Sequence, residues 1–270
     1  MPLASVEHQT RARRYPLHSH GEYQMIFAVG GAVRLTAGGK SRDVTSPAVM
    51  FLGNLEPHSL EEITEEYDRY TVTISPREAR NVMDERLLSV FLPHGGDFCP
   101  VIRLDERAAA EMRILFAALQ EENDSPEFAD APDMLVRMIL LRLFRYSPDS
   151  FPRQEGSAGG LIAAVRRALE SELEQKLPLS ALGERFHVSV YHLERLFRAQ
   201  TGYSIGRYRL LCRIAAAREL LALTDLSVSE IAARVGIEDA SNFSRYFRRE
   251  TGHSPLEYRR HARGNDPGDL

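Results

Sequence analysis

At 270 residues, with 43% hydrophobic and 27% charged side chains, the chain is long enough for two modest cores, and this balance excludes a disordered or fibrous protein. Cys99 and Cys212 are its only cysteines, which excludes a disulfide framework and a thiolate metal cluster, and no apolar run reaches membrane-spanning length. The formal charge of -4 is uneven: residues 1–160 carry 17 Arg or Lys against 24 Asp or Glu, and residues 161–270 carry 17 against 14. The basic surplus of the second part is too small to identify a partner by itself. The first ten residues lack a basic-then-apolar leader, so a reducing cytoplasm is the expected location.

From the N-terminus, the short β-rich runs Met25–Val29, Val33–Thr36, Val49–Leu52 and Tyr70–Ile74 alternate with Gly, Pro and Asn clusters. That spacing predicts an antiparallel β-barrel or sandwich. The pattern changes at Pro76, after which 77–91, 106–121 and 133–146 read as helices. The last two trail a β domain and are expected to cap it and to form a dimer interface. Breaker residues fill 147–160, so the expected division is a β domain over 1–146, a linker over 147–160 and a second domain over 161–270. The second domain is helical throughout: 161–174, 179–186, 190–200, 205–223, 229–235, 240–250 and 256–263. Ser227 with Glu230 and Ser254 with Glu257 have capping-box spacing, and Gly202 and Gly252 suit left-handed helix ends.

Within those helices the chain echoes itself. Leu196-Phe-Arg-Ala-Gln-Thr-Gly-Tyr-Ser204 returns fifty residues later as Tyr246-Phe-Arg-Arg-Glu-Thr-Gly-His-Ser254, and Leu182, Gly183, Phe186 and Val188 return as Ile231, Ala232, Val235 and Ile237. Apolar positions that persist while polar ones drift imply one supersecondary unit built twice. Each unit is a short helix, a tight turn and a longer helix. Leu193, Leu196 and Phe197, like Phe243, Tyr246 and Phe247, form a packed face, and the opposite face is polar and Arg-bearing. Such a helix suits the DNA major groove, where Arg reads guanine and Asn reads adenine. A nineteen-residue connecting helix, 205–223, spans roughly 28 Å at 1.5 Å per residue, close to one DNA turn of about 34 Å.

The segment 161–263 closely resembles the DNA-binding domain of AraC/XylS-type transcriptional regulators, through Val188–Phe197, Thr201-Gly202, Ile231–Ile237, Ser241–Arg248, Thr251–Pro255 and Tyr258-Arg259. The resemblance implies base contacts at Tyr191, His192, Glu194 and Arg195, then at Ala240, Ser241, Asn242 and Arg245, with Arg198 and Arg248 beside them on the DNA-facing side. The sequence departs from the family at His187, where the first turn usually has Gly, at Ile237, and at Pro178, which replaces a Ser cap. It further implies double-stranded DNA, a small-molecule effector and RNA polymerase as partners, a homodimer, activation of transcription, and no membrane association.

The first domain contributes His18-Ser-His20, then Gln24 and Gly31, and Pro57-His58 after the run 49–52. This resembles the two cupin motifs, with Gln24 where metal-binding cupins usually carry Glu. Three imidazoles and an amide suit a divalent metal such as zinc, iron, copper or nickel. The favoured expectation is instead that His18, His20 and His58 contact a small ligand or are structural, so no cofactor is certain. Glu22, Tyr23 and Arg34 are further polar residues for such a pocket, subject to strand register. Without a nucleophile elbow, P-loop or dinucleotide fingerprint, no enzyme is expected. The rival left open is a metal-dependent cupin enzyme fused to a DNA-binding domain.

Overall fold

The computed structural model describes residues 3–11, 15–37, 39–92, 100–124, 128, 130–151, 157–175 and 177–263. Cys99 lies outside them. The chain forms two compact units, Met1–Gly159 and Gly160–Leu270. Among the described residues no helix is long and apolar enough to cross a membrane.

The first unit has two antiparallel sheets. One has the spatial order β1 (Ala4–Arg11), β8 (Glu66–Ile74), β3 (Tyr23–Gly30), β6 (Ala48–Leu52) and β9 (Val101–Arg103); the other has β2 (Tyr15–His18), β7 (His58–Glu62), β4 (Ala32–Ala37) and β5 (Lys40–Thr45). The expected barrel is therefore a pair of sheets and not a single closed one. Side-chain alternation explains the packing. Met25, Phe27, Val49, Phe51, Val72 and Ile74 point to a core shared with the helices, whereas Ile26, Ala28, Met50 and Leu52 meet Val33, Leu35 and Leu60 of the second sheet. Strands β3 and β6 are covered on both faces, which is why they read as continuous apolar runs.

The helical run expected over 77–91 is broken. Its first part, α1 (Pro76–Val82), ends at an extended Met83, and Asp84 then caps α2 (Glu85–Leu88) by accepting from the Arg86 N–H. Helices α3 (Glu106–Asp124) and α4 (Ala131–Tyr146) follow. Part of the expected linker is structured: Phe151 is buried, with its ring 5.4 Å from Phe144 and 6.2 Å from Phe51. Helix α5 (Ser157–Ser171) also begins before residue 161.

The second unit continues with α6 (Leu179–Arg185), α7 (Val190–Thr201), α8 (Ile205–Leu223), α9 (Val228–Arg234), α10 (Ala240–Thr251) and α11 (Pro255–Ala262). Both capping boxes form, and Gly202 and Gly252 close α7 and α10 at φ 77° and 79°. Repetition extends to individual bonds. Thr201 Oγ1 donates to the Phe197 carbonyl at 2.8 Å and Thr251 Oγ1 to the Phe247 carbonyl at 2.9 Å. Phe197 meets Tyr208 edge-on at 5.2 Å, and Phe247 meets Tyr258 in the same way at 5.5 Å. Arg166 donates to the Tyr208 hydroxyl at 2.9 Å and Arg218 to the Tyr258 hydroxyl at 3.0 Å. The N-terminal end of α8 therefore plays in the first copy the part that α11 plays in the second, while Arg218 of α8 matches Arg166 of α5. Helix α8 is thus shared: it closes one repeat and opens the next.

Candidate functional site

The two longer helices of the repeat present matching faces. In α7, Leu193 and Phe197 are buried while Tyr191, His192, Arg195 and Arg198 are exposed; in α10, Phe243 and Phe247 are buried while Ser241, Arg245 and Arg248 are exposed. Each helix start is fixed by a side-chain cap, Ser189 accepting from the His192 N–H at 3.3 Å and Asp239 from the Asn242 N–H at 2.7 Å. One turn on, an Arg reaches back: Arg245 donates to Asn242 Oδ1 at 2.7 Å, and an Arg195 Nη lies 3.4 Å from His192 Nδ1. Ala240 and Asn242 are half-buried at the start of α10. Glu194 is also half-buried, and its Oε2 accepts from the Ile205 N–H at 3.1 Å, which ties it to the start of α8.

Position of α10 is held by an ion pair. Arg207 of α8 donates twice to Glu250, at 2.6 and 2.5 Å. Burial would raise the Glu250 carboxyl, but hydrogen bonds from Arg207 and Arg249 outweigh it and hold the group below the usual carboxylate range.

In the first unit a cavity of about 180 Å³ lies between the sheets, lined by His18, Gln24 and His58 together with residues the sequence did not single out, including Gln9, Tyr15 and Arg69. Arg69 is only 2% exposed; it donates to Gln9 Oε1 at 2.6 Å and stacks over the rings of Tyr15 and Tyr67. His20 adjoins this group, its ring 4.9 Å from that of His58, and a Glu22 carboxylate oxygen lies 3.7 Å from His20 Nδ1. Two of the expected pocket residues do not belong. Arg34 sits between the buried Val33 and Leu35, so it points outward, where it pairs with Asp43 at 2.8 Å. Tyr23 faces the helices and stacks on Phe91 at 4.7 Å.

Comparison with known proteins bears on both units. Residues 4–133 match the model of the AraC-like ligand binding domain, and residues 182–261 match a helix-turn-helix domain model. The chain belongs to the AraC family of transcriptional regulators. A similar curated protein is the transcriptional activator RhaR of Enterobacter sp. (strain 638), 32% identical over 168 residues. That alignment covers 61% of this chain and 59% of the relative, less than two thirds of its length. The activator RhaS of Escherichia coli O81 is 26% identical over 261 residues, covering 94% of this chain and 91% of that protein. ToxT from Vibrio cholerae O395, in a crystal structure with (E)-4-(8-methylnaphthalen-1-yl)but-3-enoic acid bound, shares the fold: TM-score 0.61, 15% identity, 96% of this chain and 98% of ToxT covered.

The ligand-binding unit of this AraC-family chain carries an acid-sensitive group. Burial, opposed by a hydrogen bond to the Glu56 carbonyl and reinforced by His20 and His18, pushes His58 from 6.5 down to about 3. Burial also lowers His20, against the pull of the Glu22 carboxylate. An unfolded His58 takes up a proton near pH 6.5 while the folded one resists until about 3, so the contribution of this group to stability is fully present above pH 6.5 and is lost as the pH falls between those values. Between about pH 7 and 5, His58→Gln should therefore lose less of its melting temperature than wild type. Equal losses in the two proteins would show that His58 does not drive the decline.

Proposed function

We propose that the protein is a one-component, ligand-responsive activator that reads promoter DNA with α7 and α10 and takes a small molecule into the cavity of its first unit. The observation that supports this most strongly is the repeated helix with a packed back, a capped start and an Arg braced one turn on. Tyr191, His192 and Arg195 would face bases from α7, and Ala240, Ser241, Asn242 and Arg245 from α10. Arg198 and Arg248 would meet phosphates. Glu194, committed to the start of α8, serves chiefly to position the first helix. Ala240 offers a methyl contact only. The two sets differ, so one chain would read a site without internal symmetry.

The effector would contact Gln24, His18, His58 and the buried Arg69, with His20 and Glu22 beside them. By stabilising one arrangement of the unit's helices over another, it would change how paired DNA-binding domains are presented to the promoter and to RNA polymerase. A catalytic role is not part of this reading, and the cytoplasm is its natural setting.

Recovery of bound fragments from the source genome tests the proposal. One discrete operator should emerge, and affinity for it should fall steeply between about 50 and 200 mM salt as phosphate counterions are displaced. A flat salt profile would be incompatible with this reading.

In this reading, dimerisation would run through α3 and α4. Ile114, Met134 and Met138 are exposed apolar residues on these helices, and the Glu111–Arg142 pair at 2.5 Å places Ile114 and Met138 on a common surface of the hairpin. Met138→Glu should convert a dimer to a monomer in sedimentation; an unchanged mass would move the interface elsewhere.

A further inference from the structure

The histidine group of the first unit has a geometry that DNA recognition does not need. His18, at the end of β2, lies directly opposite His58, the first residue of β7, and their rings are 4.4 Å apart. One ligand nitrogen from each of His18, His20 and His58 lies within 4.8 Å of the other two. Two of the three rings have their orientation set by backbone. His20 Nδ1 meets the Glu22 carbonyl at 2.9 Å, and His58 Nδ1 meets the Glu56 carbonyl at 2.8 Å. A carbonyl can only accept, so each Nδ1 carries the proton and each Nε2 keeps its lone pair. Both of those Nε2 atoms are buried, and neither has a hydrogen-bond partner among the described residues. Buried polar atoms rarely go unsatisfied, so two on neighbouring rings whose centres are 4.9 Å apart call for an electrophile close to both.

We propose that His18, His20 and His58 form a binding site for a divalent transition-metal ion of the zinc type. Imidazole nitrogens suit zinc, cobalt, nickel, copper or ferrous iron, whereas magnesium and calcium seek oxygen donors that this trio lacks. Donation of the second ring N–H to a backbone carbonyl is the outer-shell arrangement that orients histidine ligands. Metal-to-nitrogen bonds of about 2.0–2.1 Å put ligating nitrogens roughly 3.3 Å apart. From nitrogens within 4.8 Å of one another, small ring rotations suffice to close the trio, with His18 as its exposed member. Three protein ligands leave a coordination position open. The cavity that His18 and His58 line adjoins it, so water or a donor atom of a small molecule completes the shell.

The test uses untagged full-length protein, stripped with a chelator and titrated with zinc chloride alone, then with cobalt(II), whose visible absorption reports coordination. Expected are about one equivalent per chain at micromolar affinity or tighter and a four- or five-coordinate cobalt spectrum. His18→Ala, at an exposed position, should weaken zinc binding at least about tenfold without changing the melting temperature of the metal-free protein, and His20→Ala should do the same or more. His261→Ala in the second unit should bind as wild type does. Substoichiometric binding, or equal affinity in wild type, His18→Ala and His20→Ala, would overturn the site. Neither result bears on the DNA-binding reading, which the operator and its salt dependence judge separately.

Discussion

Arg245→Ala should weaken binding to the selected operator by about 1–3 kcal/mol, roughly 5- to 150-fold, and relax base preference at one position; Arg195→Ala should do the same about one helical turn away. The reason lies in how the guanidiniums are held before DNA arrives. Arg245 already donates to Asn242, and its guanidinium lies 5.5 Å from the centre of the Tyr246 ring, so less side-chain freedom is lost on docking. Bracing in α7 is looser, with 3.4 Å between Arg195 and His192. Arg245→Ala and Asn242→Ala should therefore show coupled losses in a double-mutant cycle, whereas Arg195→Ala and Arg245→Ala, on separate helices, should add. The measurement is fluorescence anisotropy with full-length protein at one fixed salt concentration. If both Arg variants bound as wild type does, α7 and α10 would not be the reading helices.

How far the sequence carried these conclusions depends on the range of the forces involved. Helices of the second unit were legible to within a few residues because amphipathic period, capping side chains and terminal glycines are local signals. Strands β3 and β6 were legible because both of their faces are buried. β5 was not, since five of its six residues are exposed, and β1, β2, β7 and β9 lack long apolar runs. The break at Met83 was signalled by Asp84, a residue that caps helices, inside an otherwise helical run. Register separated the two arginines of the first unit: Arg34, flanked by Val33 and Leu35, is turned outward by simple alternation, while Arg69 is turned inward with Tyr67 between the two sheets. Only the tertiary fold could show that Tyr208 and Tyr258 repeat each other, because their arginine partners come from helices some forty residues earlier. The same holds for the histidines. Their spacing is in the sequence, but the direction of each lone pair depends on the carbonyls of Glu22 and Glu56.

Gly236→Ala should cost the second unit about 2–5 kcal/mol, against about 1–2 kcal/mol for Gly252→Ala, although both glycines are left-handed, at φ 75° and 79°. The angle is common to both, so the difference comes from the neighbours. A Cβ at Gly252 meets nothing within 4 Å, whereas at Gly236 it falls 2.3 Å from the Leu173 carbonyl oxygen and 2.6 Å from an Arg213 Nη. Arg213 can swing aside, but the carbonyl belongs to backbone that Arg213 itself holds, at 2.8 and 3.1 Å. His187 occupies the equivalent turn of the first repeat at φ 55° and is exposed, which shows that this chain tolerates the angle where space is free. Gly236 lies in the turn that aims α10, with the Ile237 N–H bonded to the Ala232 carbonyl at 2.8 Å. The loss should therefore appear twice, as a lower urea midpoint and as weaker operator binding, while Gly252→Ala keeps most of its affinity. Equal urea midpoints for the two variants would mean that the Leu173 segment yields, and that the turn is less rigidly buttressed than these contacts require.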